Sequence, residues 1–102
     1  VENHLLELLE YRNVLGVLTT TIDGLLVAAV AVDTTDAEII AASTAGYENE
    51  DYRVTTSEYG SLHVARGNEM RLIVLAETDT DASGLRELMV RQLEAIEESI
   101  RV

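Results

Sequence analysis

Cysteine is absent from this chain, so neither a disulfide framework nor a thiolate nucleophile is available to it, which suits a cytoplasmic protein. Lysine is absent as well. All seven basic residues are Arg, which excludes a P-loop lysine and a Schiff base. There is no Phe and no Trp, and only four Tyr, so the core must be aliphatic. No apolar run approaches the roughly 20 residues of a membrane-spanning helix, and no basic-then-apolar signal opens the sequence. The first residue is Val, as expected of a processed or trimmed chain. Positive charge is scarce: seven basic residues face nineteen acidic ones, for a formal charge of −12. Such a surface repels phosphate backbones, so neither nucleic acid nor membrane insertion is expected; it suits a basic patch on a protein, or simply solubility.

The chain is 102 residues long, which fits one domain over 1–102. A chain of this size buries roughly 65% of the surface its unfolded form exposes, enough for one core. "ENHLLELLEYR" (2–12) places Leu5, Leu8 and Leu9, with Val1, at helical spacing, and turns Glu7 and Glu10 outward. "NVLGVLTTT" (13–21) is β-prone, and its Gly16 marks a place where something approaches the backbone closely. Asp23-Gly24 then signals a hairpin leading into Leu25–Val32, a run with no polar position.

"TDAEIIAASTAGYENE" (35–50) reads as the next helix, with Thr35 and Glu38 spaced as a capping box and fraying expected near 48–50. In "YRVTTSE" (52–58), Tyr52, Val54 and Thr56 share one face and Arg53, Thr55 and Ser57 the other, a polarity that suits an edge strand. "YGSLHVARG" (59–67) carries a Gly turn and a strand with Leu62 and Val64 inward. After the turn at 66–69, "RLIVLAET" (71–78) is apolar on both faces over Leu72–Ala76, as expected of a central strand. The last helix carries Leu85, Leu88, Met89, Leu93, Ile96 and Ile100 at steps of three and four, with Asp81 or Ser83 as cap. The order is therefore α-β-β-α-β-β-β-α, an α+β chain. Runs apolar on both faces require helices on both faces of the sheet, the middle helix on one side and the terminal pair on the other.

Catalytic constellations are missing, and no cofactor or metal is expected. His4 and Glu7 share a side of the first helix, but two ligands do not make a zinc site, and His63 is far off in sequence. His4 reads as solvated near a frayed end, and His63 as an ordinary residue on the strand face of Ser61 and Ala65. Asp23, Asp33 and Asp36 are explained by turns and caps. No Gly-x-Ser-x-Gly elbow occurs, and "ASG" (82–84) reads as a helix start rather than an anion site.

"IIAASTAG" (39–46) is more informative. At 100° per residue, Ala37, Ile40, Ala41 and Thr44 form one stripe, and Ile39, Ala42 and Gly46 another on nearly the opposite side. One stripe can lie on the sheet. The other is apolar and small, and a chain of this length has no third layer to bury it. A partner is expected there rather than a helix sunk in its own domain.

The element order, "VLGVLTTTIDGLLVAA" and "SGLRELMVRQLEAI" together resemble the roadblock family over nearly the whole chain. Gly16, Val17, Asp23, Gly24 and Leu25 match the pattern of the family's first hairpin. Ala37, Ala41, Ala42 and Ala45 match its Ala-rich helix, and Gly84, Leu85 and Arg86 the opening of its last helix. The middle helix, about fourteen residues by this reading, is shorter than usual for the family. The resemblance implies a five-stranded antiparallel sheet with the middle helix on one face and the terminal helices on the other. It also implies a homodimer through the middle helix and third strand, which would place Ile39, Ala42, Gly46, Arg53 and Thr55 at the interface.

Proteins like this regulate or scaffold small Ras-like GTPases without being enzymes themselves. Arg12, Arg53 or Arg66 could lend a charge to GTP hydrolysis, as arginine fingers do, but the sequence singles out none. The competing reading is a small-molecule sensory module of a signalling system. A pocket usually has aromatic and polar groups converging within apolar walls, and this chain has few aromatics to supply.

Overall fold

A computed structural model describes residues 1–45, 50–58 and 60–100. The elements run α1 (Glu2–Leu9), β1 (Val14–Thr21), β2 (Leu26–Val30), α2 (Thr34–Thr44), β3 (Tyr52–Ser57), β4 (Gly60–Arg66), β5 (Met70–Ala76) and α3 (Ala82–Ile100). All four strand pairings are antiparallel, in the order β2-β1-β5-β4-β3. β5 is central and apolar throughout its middle, while β2 and β3 form the two edges.

Alternate residues of a strand point to opposite faces, and the core divides accordingly. Val17, Leu72, Val74 and Ala76 pack with Leu5 and Leu8 of α1 and with Leu85, Met89, Leu93 and Ile96 of α3. On the other face Leu18, Ile73 and Val64 pack with Ala41 of α2. The terminal helices thus share one face and the middle helix has the other, as the sequence leads one to expect.

The hairpin between β1 and β2 forms where Asp23-Gly24 predicts it, with a different turn. Gly24 N donates to Thr21 O at 3.0 Å, Thr21 N to Leu25 O at 2.9 Å, and only Gly24 has positive φ, at 92°. This is a three-residue loop, whose left-handed position glycine fills. β2 is also shorter than Leu25–Val32, because Ala31 turns to φ 58°. Its apolar run is not covered on both faces. As an edge strand it leaves Leu25 67% and Val27 47% exposed.

The cap of α2 differs from the expected Thr35/Glu38 box. Asp33 is the N-cap, its carboxylate accepting from Thr35 N at 3.1 Å. Asp81 caps α3 in the same way through Gly84 N at 3.4 Å. His4 is not simply solvated: its Nδ1 meets Gln92 Oε1 at 2.9 Å, while Gln92 Nε2 donates to Glu7 at 2.6 Å. These bonds tie α1 to α3. Gly16 meets its expected close approach, since a Cβ there would lie 2.5 Å from Val32 Cγ2. A bulge between Val14 and Gly16 accompanies it.

Candidate functional site

α2 carries apolar side chains on two opposite sides, and only one of these reaches the sheet. Ala37, Ala41 and Thr44 are fully buried, while Ile39 is 63% exposed and Ala42 is exposed as well. The two stripes read from helical periodicity therefore separate as drawn, with Ile40 half-buried on the inner side. Gly46, the third residue of the outer stripe, lies outside the described residues.

One short helix cannot cover five strands. Where its cover stops, two open hollows of about 420 and 250 Å³ meet at Leu15 and Leu75. Ile39, Asp36 and Gly16 border the first, and Leu62, Thr55 and Ser57 the second. Ile39 and Thr55, far apart in sequence, thus flank one apolar trough. Ala42 and Arg53 line neither hollow. Arg53 lies exposed on β3, 3.6 Å from Glu50. Of the other arginines considered, Arg12 is exposed and Arg66 half-buried. Among the described residues, no group of three His, Cys, Asp or Glu side chains could hold a metal ion.

Sequence reading did not anticipate Leu15, which is 51% exposed at the floor of the trough. The signal was present in that Leu15 stands beside the bulge, where strand alternation is reset. Nor did it anticipate Arg71. This side chain is fully buried at the start of the central strand and donates from its guanidinium to Thr44 O at 3.0 Å and Ala45 O at 3.4 Å. Those carbonyls end α2, so Arg71 places a cation on the negative end of the helix dipole. Thr19 Oγ1 in turn donates to Arg71 O at 2.8 Å. The C-terminal end of α2, the end away from the trough, is thereby tied to the sheet.

His63 lies behind the edge strand on the face of α3. It is buried, and its ring nitrogens meet Tyr52 OH at 3.0 Å and Ser61 Oγ at 2.8 Å. Burial pushes the imidazole pKa below its ordinary value. Burial also raises that of Tyr52, and the positive charge of Arg86 over the Tyr52 ring opposes this rise. These groups hold β3 against β4 and α3. The strand expected to bury Leu62 and Val64 alone is in fact buried on both faces around 63–65.

No protein-family model matches the chain, and no curated protein matches it. Solved structures do. A Roadblock/LC7 domain from Streptomyces avermitilis superposes with a TM-score of 0.90 at 18% identity, over 100% of this chain and 98% of that one. The gliding protein MglB from Thermus thermophilus gives 0.79 at 17% identity, over 92% and 83% of the two chains. An MglB with tetrameric arrangement gives 0.80 at 16% identity, over 92% and 82%. The chain has the roadblock fold.

Proposed function

We propose that this chain is a single roadblock-like domain acting as a homodimeric regulator or scaffold for a small Ras-like GTPase in a cytoplasmic setting, and that it is not itself an enzyme. The observation that carries the reading is the trough. The α2 face of the sheet is covered over only part of its width, and the helix beside the gap turns Ile39 and Ala42 to solvent. A second copy supplies both a cover for the trough and a mate for the outer stripe of α2. The interface so proposed uses Ile39, Ala42, Gly46, Arg53 and Thr55. Likeness in fold to an MglB of tetrameric arrangement favours self-association, and the roadblock resemblance favours a GTPase as the outside partner. A small-molecule sensor is less well supported, because the trough is open and leucine-lined, with no aromatic side chain among the described residues that line it.

The test is size-exclusion chromatography of the purified protein with each Ras-like GTPase of its own organism, loaded with GTP analogue or GDP. Co-elution with one GTPase in one nucleotide state is the expected result. A dimer that co-elutes with none of them, in either state, overturns the GTPase reading.

A further inference from the structure

On the side of α3, the edge strand β3 is held at one point. Of its residues Tyr52–Ser57, only Tyr52 is not exposed. Its ring packs against the core of that face, with Arg86 Cζ 4.8 Å from its centroid. Its hydroxyl meets His63 Nδ1 at 3.0 Å, and His63 Nε2 meets Ser61 Oγ at 2.8 Å. On this face the polar hold on β3 therefore runs through one buried imidazole.

The arrangement in which every hydrogen of this chain finds an acceptor has a neutral ring. Tyr52 donates to Nδ1, Nε2–H donates to Ser61 Oγ, and the Ser61 hydroxyl donates to Glu77 O at 3.4 Å. An imidazolium has two donors and no acceptor. Both hydroxyls must then accept from it, and the Tyr52 proton is left to Met89 Sδ at 3.9 Å, a weak acceptor.

The surroundings offer the cation no compensation. β5 sets Val74 across from His63, β3 sets Val54 and Tyr52 beside it, and α3 brings Met89 and the positive Arg86. Among the described residues, no carboxylate hydrogen-bonds the ring or either hydroxyl. Burying a charge without a partner is costly, and burial already lowers the His63 pKa.

We infer that the Tyr52–His63–Ser61 chain is an acid-sensitive latch, which holds β3 on β4 while the imidazole is neutral and frees the strand when the ring takes up a proton. Opening carries Tyr52 away from the ring and gives the cation water. The closed strand favours the neutral ring, so the latch is intact above the ordinary imidazole range and weakens as pH falls through it. It stands on contacts within one chain and not on the homodimer reading, although Arg53 and Thr55 of the proposed interface ride on the strand it controls.

Amide exchange followed residue by residue by NMR, at about pH 7.5 and about pH 5.5, tests the latch. The amides to read are those of Arg53 and Thr55, which face β4: Arg66 N donates to Asp51 O at 2.9 Å, and bonded pairs alternate along the ladder. After correction for intrinsic rates, both should exchange faster than the amides of β5. At the lower pH they should speed up by as much as about tenfold, the factor for a group one unit below its ordinary pKa. His63→Gln should remove that acceleration. His4→Gln should leave it, because His4 lies between α1 and α3, bonded to Gln92. Tyr52→Phe keeps the ring and loses the hydroxyl, and should speed both amides already at the higher pH.

Equal rates in β3 and β5 would mean that the strand opens only when the whole chain unfolds, and would overturn the inference. An acceleration that survives in His63→Gln would overturn it as well. Should His63→Gln fail to fold, Tyr52→Phe decides: β3 amides that match the parent at both pH values would show that no latch exists.

Discussion

At the scale of single residues, two buried polar side chains organise the regions flanking the proposed interface. Arg71 spans from the central strand to the last carbonyls of α2. Replacing it with Leu keeps most of the volume but strands those carbonyls and withdraws a cation from the helix end. Leaving a buried acceptor unsatisfied costs roughly 1–3 kcal/mol, and urea unfolding of Arg71→Leu should show a loss of at least that size. His63 makes a different prediction. Its pKa is lowered in the folded state, so the unfolded chain takes up a proton more readily than the folded one. Stability from this group is complete above the ordinary imidazole range and falls as pH drops through it. Thermal melts should therefore show a falling midpoint between about pH 7.5 and 5.5, and His63→Gln should flatten that fall while lowering the midpoint at the upper end. An unchanged slope in the variant would mean that the imidazole does not drive the acid sensitivity.

At the scale of elements, α2 decides more than its length suggests. Its outer stripe was legible because helical phase needs only the sequence, and the buried Ala37, Ala41 and Thr44 fall where that phase puts them. A pair of substitutions separates the two stripes. Ala42→Arg places a charge on the outer face, harmless to a lone subunit because arginine is a good helix former. In a dimer joined through that face, the charge is desolvated without a partner and costs roughly 3–5 kcal/mol. The variant should keep its circular dichroism spectrum and sediment as a monomer. Ala41→Arg forces the same group between Leu18, Val64 and Ile73 and should unfold the chain outright. If Ala42→Arg remains a stable dimer, the outer stripe is not the contact. The Asp33 cap shows the other side of sequence reading. Thr35 and Glu38 had the right spacing, yet the chain leaves β2 so sharply at Ala31 that the helix begins earlier and Asp33 takes the position.

At the scale of the whole molecule, charge is the dominant feature, at −12 over 102 residues. A field of this kind steers a basic partner surface and is screened beyond about 10 Å at 0.1 M salt. If the proposed GTPase partner exists, its association with this chain should therefore slow as sodium chloride rises from about 50 to about 500 mM, which stopped-flow fluorescence can follow. Rates independent of ionic strength would remove the net charge from the account of recognition.

The sequence by itself determined the inventory of elements, their order and the face each helix presents. These depend on neighbours within one or two turns of chain: apolar spacing in α1 and α3, the Gly24 turn, and the alternation of β3. It also determined what is missing, since no Lys and no Cys means no chemistry that needs them. The polarity of β3 and the apolar run of β5 already marked an edge and a centre. Tertiary structure alone decided the full order β2-β1-β5-β4-β3 and that β2 is the other edge, because that order rests on pairings between residues up to about sixty positions apart. That order leaves Leu25 and Val27 exposed in a run that reads as core, and buries His63 in a strand that reads as half polar. It brings Arg71 under the end of α2 and opens the trough at Leu15 and Leu75. The physical reason is that burial belongs to the assembled sheet: local periodicity says which side chains share a face, and only the packing of distant strands and helices settles whether that face is covered.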